Sequence, residues 1–133
     1  MAIIASNDQK VSSGSASSFT GSVRVQRLFA VLSPSRTSGG LVTFQPGART
    51  NWHTHPLGQV LIVTDSEGWV QEWGQPRRVI HKDDVIQIPA SAKHWHGATA
   101  STTVTHISIQ ELSNGKNVDW LEPVTDSQYL SSK

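Results

Sequence analysis

The chain has no cysteine among its 133 residues. Disulfides, thiolate nucleophiles and cysteine-ligated zinc are therefore excluded. Any metal site must be assembled from imidazole, carboxylate and amide groups. Charge is also sparse. Only 16% of residues are Asp, Glu, Lys or Arg, and 11 basic against 10 acidic residues leave a formal charge of +1. That balance offers no electrostatic footprint for nucleic acid or an anionic membrane. No apolar run approaches the ~20 residues of a membrane-spanning helix. The start, Met1 to Ser6, lacks the basic region and long apolar stretch of a secretion signal. These absences lead to the expectation of a cytoplasmic protein. A chain so poor in charge, with five Trp, either covers part of its surface by self-association or fills its interior with indoles.

Long amphipathic helices are missing too, and short β-runs take their place. Val23 to Phe29 alternates apolar and polar residues. Leu41 to Gln45 is a second run, ended by the turn signal Pro46-Gly47. Further strands are expected at Gln59 to Thr64, Trp69 to Trp73, Arg77 to His81, Val85 to Ile88, around Lys93 to Thr99, and at Thr103 to Gln110. The polar group Asp65 to Gly68 reads as a turn between two of them. Ser33 to Gly40 reads as a loop, and the Ser-rich stretch Lys10 to Ser18 as an exposed arm. A short helix is expected near Thr125 to Leu130. The length fits one domain. Many short strands separated by turn signals describe an all-β sandwich or barrel. The expected division is an N-terminal arm (1–20), a barrel (21–112) and a C-terminal extension packing on it (113–133).

Histidine spacing carries the chemistry. His53 and His55 follow Pro46-Gly47, and Gln59 lies four residues on. In an extended chain, side chains two apart share a face, so His53, His55 and Gln59 can converge on one point. His94 and His96 form a second pair with the same spacing. Three imidazoles (His53, His55, His94) and the Gln59 amide oxygen would fill four positions around a divalent cation and leave one or two for water or substrate. With no anionic ligand the ion would keep its full charge for Lewis-acid work. Ligand type alone admits Mn2+, Fe2+, Ni2+, Co2+ or Zn2+.

Other groups fall around this point. His96 shares parity with His94 and can enter the same cavity without ligating, as a proton acceptor. Val104, His106, Ser108 and Gln110 share one face of their strand, and Thr103, Thr105, Ile107 and Ile109 the other. A barrel normally turns its Ile face inward, so either His106 meets solvent or the polar face lines a cavity. Gly40 and Val42 share parity with Phe44 and offer a patch of small residues, as pocket lining or ordinary barrel filling. Thr50 serves as a hydrogen-bond donor to a ligand or as a turn residue, and Trp120 as a cap. Trp52 and Trp95 have the opposite parity to the ligands and are expected to pack in the sheet or at a subunit interface. His81 is expected to be exposed.

Two motifs resemble those of the cupins, small double-stranded β-helix (jelly-roll) barrels. The first is Gly47, five residues, His53-Thr54-His55, three residues, Gln59, then Gly68. The second is Asp84, Pro89-Ala90-Ser91, His94 and Ala98, with Asp84, Ser91 and Ala98 replacing the usual Gly, Gly and Asn. Gln59 stands where most cupins carry Glu. The stretch Pro46 to Gln59, with Lys93-His94-Trp95-His96-Gly97, Thr105-His106, Ile109-Gln110-Glu111 and Val118-Asp119-Trp120, is similar to the manganese-dependent cupin hydroxynitrile lyases, a subgroup that carries Gln at that ligand position. The resemblance implies (R)-selective cleavage of cyanohydrins such as mandelonitrile to an aldehyde and cyanide. It implies a small-molecule substrate, Mn2+ as the preferred ion, and a homo-oligomer, dimer or tetramer. It further implies His53, His55, Gln59 and His94 as ligands, His96, His106 and Gln110 as catalytic groups, and Gly40, Val42, Thr50 and Trp120 in the substrate pocket. A cupin oxygenase using iron, or a non-catalytic metal- or small-molecule-binding cupin, are the alternatives.

Overall fold

Alternating apolar and polar residues produce strands along nearly half of the chain. The computed structural model describes residues 1–132. In chain order its strands are β1 (Val11–Ser13), β2 (Phe19–Thr20), β3 (Val23–Phe29), β4 (Thr37–Phe44), β5 (Arg49–Thr50) and β6 (His53–Thr54), then β7 (Gln59–Glu72), β8 (Arg78–His81), β9 (Val85–Ile88), β10 (His94–Ala98), β11 (Val104–Glu111) and β12 (Asp119–Trp120). One short helix, α1 (Asp126–Leu130), follows. All pairings are antiparallel. They curl into a jelly-roll barrel: β1-β3-β4-β11-β7-β9 form one layer, and β8-β7-β10-β5-β2 the other, with β6 and β12 beside β10.

β7 belongs to both layers. The expected turn at Asp65 to Gly68 does not reverse the chain. Residues up to Ser66 pair with β11 and residues from Gly68 on pair with β10. Partners on both sides of the break hold the backbone extended through it. The polar signal marks a bend instead, at Ser66 with φ 62°, beside a register shift between Thr105 and His106. Two further expectations change. Thr37 to Gly40 is strand, because all four residues pair with β11. Part of the Ser-rich arm is strand as well, since Val11–Ser13 pairs with β3. In both places a polar or glycine-rich composition was outweighed by backbone hydrogen bonds to a neighbouring strand.

Between the layers lie Val23, Val42, Phe44, Val63, Val70, Ile80, Ala98 and Val104. A second apolar cluster of Trp52, Trp95, Val124 and Tyr129 is supported by Trp69. Full burial of each large side chain contributes roughly 1.5–3 kcal/mol, which binds the C-terminal segment to the barrel. α1 is too short to stand alone. It starts on a capping box between Thr125 and Gln128. Tyr129 then anchors it by donating its hydroxyl to Ala98 O at 2.6 Å. The buried Arg49 guanidinium lies over the Tyr129 ring and donates to Val124 O and to the Asp126 carboxylate.

Candidate metal centre

β6 and β10 pair with His53 directly opposite His94. His96, two residues along β10, stays on the same inward face and is buried with them. Gln59 opens β7 and stands opposite Gln110 of β11. His53 and Gln59 do not lie on one continuous strand. A turn over Pro56 and Leu57 separates them, with Gly58 at φ 81°. A Cβ on Gly58 would lie 2.5 Å from Ile88 O, so this tight reversal accepts only glycine. The turn, rather than simple alternation, brings Gln59 back to the imidazoles.

Each of three imidazoles is oriented by a backbone carbonyl. His53 Nδ1 meets Asn51 O at 2.8 Å, His55 Nδ1 meets Asn117 O at 2.6 Å, and His94 Nδ1 meets Ala92 O at 2.9 Å. A carbonyl only accepts, so Nδ1 carries the proton in all three and Nε2 keeps its lone pair. This is the arrangement in which histidines serve metal ions. His55 Nε2 is buried with no partner. Gln59 donates from Nε2 to Gln110 Oε1 at 3.2 Å, which fixes its amide orientation and places Oε1 3.3 Å from His94 Nε2. Two lone pairs then face each other in a buried site. A cation between them turns that repulsion into attraction, so the donor set fits a divalent metal.

Among the described residues, His53, His94 and His96 offer ring nitrogens within 4.8 Å of one another. His96 differs from the other two in its hydrogen bonding. Its Nδ1 is 3.0 Å from His106 Nε2, and His106 Nδ1 is 3.3 Å from Ser108 Oγ. His106 is fully buried and stands against Phe44. The polar face of β11 therefore points inward and Ile107 and Ile109 point out, resolving the two readings left open by parity. All five imidazoles are held in the neutral form. Burial lowers His94 and His106 to about 4. Burial lowers His55. It drives His53 and His96 well below the ordinary range, with further repulsion from neighbouring imidazoles.

A cavity of about 190 Å³ opens onto this cluster. Of the expected residues, Gly40, Val42, Thr50, His53, His55, Gln59, His96, Gln110 and Trp120 line it. His94 and His106 do not; His106 reaches the cavity through its contacts with His96 and Ser108, which both line it. Thr50 Oγ1 accepts from His96 N at 3.2 Å, and so braces β10. The Trp120 ring packs 4.8 Å from that of His53. Trp52 and Trp95 are buried outside the cavity, and His81 is exposed. Asn117 was not anticipated. Its carbonyl orients His55, yet it sits in a turn-rich Ser-Asn-Gly-Lys-Asn loop with no periodic signal. Ser108 was legible only as a neighbour of His106 on the polar face.

The fold and the buried histidine set define a small jelly-roll of the metal-binding type. The family described as the cupin domain matches residues 40–109, and the chain belongs to that family. A relative from Granulicella tundricola, named (R)-mandelonitrile lyase, is 53% identical over 116 residues, covering 87% of this chain and 88% of its own. A cupin-like protein from Thermotoga maritima is 43% identical with a TM-score of 0.85, over 89% of this chain and 90% of that one. A cupin-2 domain protein from Rhodospirillum rubrum has the same fold at 16% identity, with a TM-score of 0.71 over 90% of this chain and 78% of that one.

Proposed function

We propose that this cupin is a metal-dependent, (R)-selective hydroxynitrile lyase. It cleaves cyanohydrins such as mandelonitrile to an aldehyde and cyanide, and catalyses the reverse addition. The observation that carries the reading is the buried, neutral His96–His106 pair: His96 lines the cavity and its Nε2 has no partner. The name borne by the Granulicella tundricola relative supports the same chemistry. The proposed ligands are His53, His55, Gln59 and His94, with Mn2+ as the preferred ion and Fe2+, Ni2+, Co2+ or Zn2+ as substitutes. The proposal includes a cytoplasmic homo-oligomer, a dimer or tetramer, consistent with the low charge content.

A divalent ion bound by these ligands supplies positive charge that lowers the pKa of a substrate hydroxyl. His96 Nε2 takes the hydroxyl proton. Its Nδ1–H donates to His106 Nε2, and His106 Nδ1–H donates to Ser108 Oγ, so the chain of bonds keeps the lone pair at Nε2. The oxygen electron pair closes the carbonyl, the carbon–carbon bond breaks, and its electrons leave with cyanide. The proton on His96 returns to cyanide and restores the neutral pair. Gln110, held at 3.1 Å from Ser38 Oγ and by Gln59, presents an amide to the nitrile. Val42, Phe44 and Trp120 keep water from the reacting carbon.

The test is elemental analysis and a mandelonitrile cleavage assay on the same sample. Bound divalent metal with release of benzaldehyde and cyanide is expected. A fully loaded sample that leaves mandelonitrile intact defeats the reading, and oxygen consumption dependent on ferrous iron would replace it with an oxygenase.

A further inference from the structure

The cavity over the histidines borders a second space. A neighbouring groove of about 350 Å³ shares Val25, Gly40, Gln110 and Asn117 with it. Beyond these the groove is lined by Phe29, Val31 and Leu112, with Arg27 at its rim. Gly40 lines both spaces, and a Cβ there would find only Gln26 O within 4 Å, at 3.4 Å. A side chain there would take up room that glycine leaves open between them. Val31 is 40% exposed and the following Leu32 68%, so apolar surface stays uncovered next to the site.

Arg27 adds a second feature. It faces Gly40 across β3 and β4, on the same side of β3 as Val23 and Val25, which turn inward. Its guanidinium makes no hydrogen bond or ion pair among the described residues. Residues 23–44, which supply most of the groove's lining, include Arg24, Arg27 and Arg36 and no acidic residue. A free guanidinium beside an apolar groove suits a carboxylate.

We infer that the groove is a substrate subsite. It takes an apolar body that continues past the reacting carbon, crosses Gly40 and ends in a carboxylate at Arg27. The inference rests on the lyase reading for the reacting end only. The occupant is thus an aldehyde or cyanohydrin bearing an extended aryl or alkyl chain with an anionic terminus. Mandelonitrile would fill the inner cavity and leave the groove empty.

Calorimetric binding of three aldehydes to the metal-loaded chain tests this: benzaldehyde, biphenyl carbaldehyde, and biphenyl carbaldehyde with a carboxylate on the far ring. Burying the second ring is expected to tighten binding about tenfold, and the carboxylate about tenfold again. Gly40→Val should erase the gain from the second ring. Arg27→Gln should erase the gain from the carboxylate, and Arg27→Lys should restore part of it. If Gly40→Val does not fold, Leu112→Asp, which places a charge on the groove wall, should also abolish the ring gain. Equal binding of benzaldehyde and the biphenyls, or a carboxylate gain that survives Arg27→Gln, overturns the subsite. Kinetics on the matching cyanohydrins separate the two readings. The expected binding order without turnover leaves the subsite standing and removes the lyase. Turnover that ignores length and charge does the reverse.

Discussion

Replacing His106 with Phe tests the role of the buried pair. The ring volume is nearly kept, and the packing against Phe44, with centroids 5.4 Å apart, can persist. What is lost is the acceptor 3.0 Å from His96 Nδ1. His96 then has a buried N–H without a partner, which costs about 1–3 kcal/mol. That cost is relieved if the proton moves to Nε2, but the lone pair then leaves the substrate side. For a domain of this size the loss should lower Tm by roughly 4–10 °C. Since a positioned base is worth about 10²- to 10⁴-fold, kcat for mandelonitrile cleavage should fall by that order with metal content unchanged. KM should move little, because His106 does not line the cavity. Thermal unfolding, elemental analysis and steady-state kinetics on one preparation read all three. A His106→Phe enzyme with full metal and kcat within about tenfold of wild type would refute the assigned relay.

His53→Ala, His55→Ala and His94→Ala should each strip the metal while His96→Ala retains it; full occupancy in the first three, or loss only in the last, would move the ligand set to the His53, His94 and His96 group. Gln59→Glu should keep the metal yet lower kcat at least about tenfold, because a carboxylate neutralises part of the cation's charge; unchanged kcat would deny that the neutral amide matters. In the metal-free chain, His94 and His106 are lowered to about 4, so the unfolded state binds more protons between pH 6.5 and 4. Stability should be fully present above pH 6.5 and fall through that window by up to about 3 kcal/mol per group; a flat urea midpoint from pH 7 to 4.5 would contradict it. Tyr129→Phe removes the bond to Ala98 O and should cost about 1 kcal/mol in urea unfolding; an unchanged midpoint would remove that bond from what anchors the C-terminal segment.

Much of the fold was legible because its signals are local. Alternation marked β3 and β11, Pro46-Gly47 marked a turn, and the Thr125 to Leu130 helix was placed within a residue of α1. The errors fall where pairing outweighs composition: the Asp65 to Gly68 bend inside β7, the glycine-rich start of β4, and the edge strand β1. The site shows the same division. His53, His55, Gln59, His94 and His96 could be singled out by spacing and by likeness to known motifs. Spacing could not reveal that Asn51, Asn117 and Ala92 carbonyls set the tautomers of His53, His55 and His94.

The sequence by itself determined the chemistry available. With no cysteine and two His-x-His pairs, it pointed to an imidazole site on strands, and the single-residue spacing let each pair share a face. Tertiary structure decided the rest. Whether the Ile or the His face of β11 turns inward is undetermined by a period of two, since both faces alternate equally well. That choice fell to the register of β11 between β4 and β7, which buries His106 against Phe44 and behind His96. The adjacency of cavity and groove at Gly40 likewise depends on what β3 and β11 place around a missing side chain. Local sequence sets which groups a strand carries; only long-range pairing sets what each group faces.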